Sequence, residues 1–121
     1  MADAVVGGRR PGGTRLRIGV ALVRGDSMRP TLRPDDRLLV VYGARVRAGR
    51  VVVARFADGT LVVKRATERR GSGWWLRGDN PGVGVDSRHR GPVPDEAVLG
   101  VVRARLWPRP RTLGRFEDVK G

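Results

Sequence analysis

Apolar positions in this chain come in short runs, each closed within a few residues by glycine, proline or aspartate. Residues 15–24 alternate loosely between apolar and polar and stop at Gly25-Asp26. Residues 37–42 (RLLVVY) are nearly continuous, entered from Arg33-Pro34-Asp35-Asp36 and left at Gly43, the pattern of a buried strand. Residues 51–56 and 60–67 flank Ala57-Asp58-Gly59, whose Asp-Gly pair suits the backbone angles of a tight hairpin. Residues 74–77 predict a short strand and 98–106 a longer final one. Between them, 78–94 is dense in Gly, Pro, Asp and Asn and predicts a long loop, a length often put to functional use. No run keeps a helical period and no internal repeat appears, so the pattern predicts an all-β fold, a partly open barrel of antiparallel strands.

A chain of 121 residues forms one domain with a single modest core. The expected layout is a flexible lead-in over 1–14, the folded domain over 15–107 and a disordered basic tail over 108–121. With no cysteine, disulfides, thiolate catalysis and sulfur-ligated metal are excluded. A lone histidine, His89, makes no multi-histidine site, so neither metal nor cofactor is expected. The net charge of +13 comes from 23 arginines and two lysines scattered along the whole chain. Aromatics are only 5%, too few for a base-stacking platform, so no specific nucleic-acid partner is expected. A catalytically silent, basic nucleic-acid-binding module is the alternative from a different class. The apolar stretch over 18–23 is far too short to cross a bilayer, and the lead-in lacks a signal-peptide core. A cytoplasmic protein without stable membrane insertion is the expectation.

The candidate chemistry rests on one serine and one lysine. Ser27 stands where a strand gives way to a proline-interrupted turn, in Gly25-Asp26-Ser27-Met28-Arg29-Pro30-Thr31-Leu32. A nucleophilic serine needs such a fixed bend with N–H groups near enough to hold an oxyanion. A turn serine bonding to its own backbone is the bland alternative. Lys64 stands within the strand Leu61-Val62-Val63-Lys64-Arg65-Ala66, and the other lysine is the penultimate residue. Where only a cation is wanted, this chain uses arginine. An amine surrendering its proton on desolvation can act as a base, which guanidinium cannot. An exposed strand lysine is the alternative, and the two residues together favour a Ser–Lys dyad. His89, between two arginines in the long loop, reads as a solvated side chain rather than a base oriented by Asp86, and Asp35-Asp36 as turn chemistry.

Three segments in order then resemble the signatures of type I signal peptidases and their relatives, over about residues 20–107. They are the Ser27 segment, Val62-Val63-Lys64-Arg65, and Gly78-Asp79-Asn80-Pro81 through Asp86-Ser87-Arg88 to Gly91-Pro92-Val93-Pro94. LexA-type self-cleaving repressors share the serine motif alone. The resemblance implies the signal-peptidase/LexA type of catalytic β-fold. It makes Ser27 the nucleophile, with its backbone N–H in the oxyanion hole, and Lys64 the general base. It implies that Gly78, Asp79 and Asn80 support the lysine and that Asp86 and Arg88 form a salt bridge beneath the site. Met28 and Pro30 would lie along the substrate cleft. Gly25 replaces an oxyanion-assisting serine of some members. Gly84 replaces a serine that in many members orients the lysine, leaving a water or Ser87 to hold Lys64. The compact, Arg-rich texture, with Trp74-Trp75 before Gly78-Asp79-Asn80-Pro81 and an ending in Leu106-Trp107-Pro108, resembles the group that matures nickel-type superoxide dismutase. The partner so implied is a precursor of that enzyme, cut once to remove its leader. Signal-peptidase-like processing of secreted preproteins is the alternative within the same chemistry.

Overall fold

In the computed structural model, which describes residues 4–9 and 17–114, nine strands form one antiparallel sheet. The strands are β1 (Ala4–Arg9), β2 (Arg17–Val23), β3 (Arg37–Tyr42), β4 (Val51–Arg55), β5 (Leu61–Arg70), β6 (Gly73–Arg77), β7 (Val93–Pro94), β8 (Val98–Trp107) and β9 (Arg111–Thr112). A single-turn helix, α1 (Ser87–Arg90), precedes β7. The path through the sheet runs β1-β2-β3-β8-β4-β5-β6-β7, with β9 added alongside β8. The fold is all-β and the sheet does not close, as the residue pattern predicts.

The apolar runs explain the layers. The β4 sequence VVVAR is buried on both faces, Val51 and Val53 pointing one way and Val52 and Ala54 the other. Val51 and Val53 join Met28, Leu32, Leu38, Val63 and Val102 in one core cluster. Val52 and Ala54 join Phe56, Val62, Trp74, Leu76 and Val101 in a second cluster on the opposite side. Register shifts between β3 and β8, β4 and β8, and β5 and β6 place extra residues on one strand of each pair, which bends and coils the sheet. The Asp58-Gly59 hairpin closes as expected. Phe56 N–H donates to the Thr60 carbonyl, Gly59 N–H to the Phe56 carbonyl, and Asp58 accepts from Thr60 N–H. Those hydrogen bonds, with Arg90 alongside, hold the Asp58 carboxyl down at about 2.

Three boundaries differ from the reading of the sequence. Residues 4–9, inside the expected lead-in, form β1, whose register with β2 runs from Ala4↔Val23 to Arg9↔Ile18. Strand pairing overrides the glycines of this stretch because β2 offers it an open edge. In the expected tail, β9 pairs with β8 and Leu113 is buried in the first cluster. The long loop over 78–94 is broken by α1 and by β7, which pairs with β6. The remainder of the lead-in (1–3 and 10–14), the start of the 15–24 run and the tail over 115–121 lie outside the described residues.

Candidate active site

Ser27 leaves the end of β2 in a tight turn in which Arg29 N–H donates to the Asp26 carbonyl. The turn is folded back on the segment that begins the loop after β6. Asn80 N–H donates to the Ser27 carbonyl at 2.8 Å, and the Asn80 side-chain amide donates to the Asp26 carbonyl at 3.0 Å. Gly78 lies so close that a Cβ there would stand 2.6 Å from the Ser27 carbonyl oxygen. A glycine is required at that crossing, and Ser27 is left 4% exposed at the surface of the sheet.

Lys64 occupies the middle of β5, opposite Val52 on β4. Alternation puts it on one face with Val62 and Ala66, both buried in the second cluster, and its accessibility is 0%. The link between Ser27 and Lys64 is Gly84. A Cβ built there would lie 3.1 Å from Ser27 Cβ, 3.3 Å from Lys64 Nζ and 3.9 Å from Ser27 Oγ. The hydroxyl and the amine, 37 positions apart in sequence, therefore both lie within 4 Å of one point. A hydroxyl and a buried amine in that arrangement can pass a proton and form an acyl-enzyme.

Around this pair the structure brings together most of the other sequence-predicted residues. Asp79 is held by Arg65 through two parallel bonds, Nε to Oδ1 at 2.9 Å and Nη2 to Oδ2 at 2.6 Å. Thr31 Oγ1 donates to the same carboxylate, and Arg65 also reaches the Gly49 carbonyl at 2.7 Å. Arg65 and Thr31 are residues that the sequence reading left without a role. The signal for Arg65 was present: an arginine directly after the lysine, inside an apolar strand, has to be paired when buried. Asp86 caps α1 and takes a two-pronged ion pair from Arg88, with Nη2 at 2.9 Å from Oδ2. It also accepts from the Gly78 N–H. Burial alone would raise the Asp86 carboxyl, but the Arg88 guanidinium and the N–H groups of Gly78 and Arg88 outweigh it and hold it below the usual carboxylate range. Ser87 Oγ accepts from the Leu76 N–H at 2.8 Å, so its hydroxyl is engaged with β6.

One placement differs from expectation. Met28 is 1% exposed within the first core cluster, its sulfur accepting from the Asp79 N–H, so it packs under the serine turn and does not line a cleft. Apolar bulk next to a turn serine finds the core before it finds solvent. Pro30 is exposed on the outer side of the turn. His89 completes a capping box, its Nδ1 accepting from the Asp86 N–H, and is exposed as a solvated loop side chain should be.

Comparison with known proteins identifies the family of the chain. The profile of the family described as Peptidase S24-like matches residues 15–102. The mitochondrial inner membrane protease subunit 1 of Schizosaccharomyces pombe is 50% identical over 124 residues, covering 80% of this chain and 78% of that protein. Its Xenopus tropicalis counterpart is 30% identical over 115 residues, covering 74% of this chain and 69% of that protein. The mitochondrial ATP-independent inner membrane protease subunit 1a of Arabidopsis thaliana is 47% identical over 34 residues. These names overturn the expectation of a cytoplasmic protein. That expectation rested on the lack of an apolar span, and a span is not the sole route to a membrane surface. Among the described residues no helix is long and apolar enough to cross a membrane.

Proposed function

We propose, for a chain that belongs to the Peptidase S24-like family and is a serine peptidase, that Ser27 is its nucleophile and Lys64 its general base. What supports this reading is the convergence of Ser27 Oγ and Lys64 Nζ on Gly84. Ser27 Oγ attacks the scissile carbonyl while Lys64 Nζ takes its proton. The backbone N–H of Ser27 receives the developing oxyanion. Lys64 then returns the proton to the leaving amine, and a water, activated by the same amine, releases the acyl group. Asp79, Asn80 and Gly78 position the serine turn, and Asp86, Ser87 and Arg88 anchor the far end of the same loop.

The substrate class in this reading is a precursor protein cut once near its N-terminus, and the finer candidate is the precursor of nickel-type superoxide dismutase. The peptidase unit is taken as residues 15–107. We place its work at a membrane, in keeping with the names of the relatives and with the exposed Ile18, Val20 and Trp107 beside a charge of +13.

Mass spectrometry of the dismutase precursor incubated with the purified chain tests the reading. One cut that frees the leader, absent with Ser27→Ala and reduced about 10²–10⁴-fold with Lys64→Ala, is the expected result. A cut that survives Ser27→Ala sinks the mechanism. A precursor left whole by the wild-type chain removes the dismutase assignment and directs the assay to membrane-bound preproteins.

A further inference from the structure

We propose that Gly84 is a positioning residue for the Ser27–Lys64 pair, an inference that rests on the dyad assigned above. The bare face of its backbone keeps hydroxyl and amine in mutual reach, where any side chain would drive them apart. Gly84 is exposed on its outer side and lies against both partners on its inner side, so it roofs the pair. A methyl group at this position would sit 3.1 Å from Ser27 Cβ and 3.3 Å from Lys64 Nζ. Contacts that tight force a neighbour to give way, and neither neighbour has room. The Ser27 carbonyl is fixed by Asn80 and pressed on Gly78. Lys64 is enclosed by the packed strand residues of the second cluster. Proton transfer asks for about 2.6–3.2 Å between heavy atoms, so a shift of a few tenths of an ångström in either partner matters to it.

The roof cannot swing aside either. Val83 N–H donates to the Asn80 carbonyl, and Asp86, two residues past Gly84, is tied to Gly78, Arg88 and α1. A serine at position 84, as many signal peptidases carry, meets the same obstruction here, because its Cβ would fall on the same spot.

Gly82 supplies the control. Its φ of +79° matches the +76° of Gly84, so alanine strains the backbone alike at both sites, yet a Cβ on Gly82 meets nothing within 4 Å. The two alanine variants therefore separate backbone strain from intrusion on the dyad. The assay compares wild type, Gly82→Ala, Gly84→Ala and Gly84→Ser on a peptide spanning the leader junction of the nickel-type dismutase precursor. The expected result is a kcat about 100-fold lower at unchanged KM for both Gly84 variants, with Gly82→Ala close to wild type. A second readout needs no substrate. The chain has only two lysines, so 13C-lysine labelling gives a Lys64 signal identified by its loss in Lys64→Ala. That signal moves in Gly84→Ala and stays in place in Gly82→Ala. An unmoved Lys64 signal in Gly84→Ala, a Gly84→Ser enzyme as fast as wild type, or equal losses at 82 and 84 would each overturn the inference. Cleavage that survives Ser27→Ala overturns the dyad instead, and with it the ground on which the inference stands.

Discussion

Adjacent residues of one strand carry the two buried basic side chains of this site, and their fates differ. Lys64 faces the second core cluster, whereas Arg65, on the other side of β5, meets Asp79 in a paired fork, with side-chain exposures of 4% and 8%. Guanidinium holds its charge in any surroundings, so its burial demands a carboxylate, and Asp79 satisfies that demand while Thr31 ties it to the serine turn. Removing one member of such a pair strands the other charge. Asp79→Ala is expected to lower stability by about 3–5 kcal/mol in urea unfolding. The double variant Arg65→Met, Asp79→Leu recovers most of that loss, because well-packed apolar residues replace a buried ion pair at little cost. A double variant no more stable than Asp79→Ala would show that Arg65 is not the stranded charge.

At the scale of elements, the segment from Gly78 to Arg90 is held at both ends by polar contacts rather than by a core. Its far anchor is Asp86, whose carboxyl is depressed by Arg88 and by the backbone N–H groups despite burial. A carboxyl depressed in the folded state adds stability that is complete above its unfolded value and is lost as pH falls through its folded one. The window therefore lies below the ordinary carboxylate value of 3.8. Amide exchange at Gly78 and Arg88 is expected to quicken in that acid window before the strands of the sheet open, and Asp86→Asn is expected to show the same quickening at neutral pH. Uniform exchange across loop and sheet would count against Asp86 as a local anchor. The strands of this sheet were legible in the sequence because their apolar runs are short and sharply punctuated: 37–42 coincides with β3, and 51–56 with β4 to within one residue. The segment over 78–94 was legible as a loop, but not its α1 turn, since four residues cannot display a helical period. The pairing of Ser27 with Lys64 was legible in residue chemistry and in the resemblance, but the part played by Gly84 was not, because it depends on three separate elements. Arg65 escaped because the weight fell on its neighbour Lys64, although an arginine inside an apolar strand needs a partner when buried, and Met28 was misplaced because a motif position does not tell which way a side chain points.

For the whole molecule, charge and apolar exposure act together. Strand β2 buries Ala21 and Val23 on one face and exposes Ile18 and Val20 on the other, and Trp107, 53% exposed, ends β8 with Arg37 over its ring. Arginine beside exposed tryptophan suits a surface where headgroup meets hydrocarbon. Flotation with vesicles containing anionic lipid is expected to carry the wild-type chain at low salt and release most of it at about 1 M salt, where screening is nearly complete. Retention by neutral vesicles at the same level would assign the attraction to apolar contact alone, and no flotation at low salt would remove the membrane placement.

The hairpin between β4 and β5 has a consequence for how such a protein can grow. Ala57, Asp58 and Gly59 are exposed, and the backbone bonds that close the turn run only between Phe56, Gly59 and Thr60. New sequence inserted there lengthens an exposed loop at an entropic cost that rises slowly with length, provided Asp58 keeps its ion pair with Arg90. The segment from Gly78 to Asp86 offers no such freedom, since every added residue would lift Gly84 from the dyad. Grafted domains, affinity tags or fluorescent labels therefore have a natural port at Asp58-Gly59, on a strand pair whose other end carries the lysine.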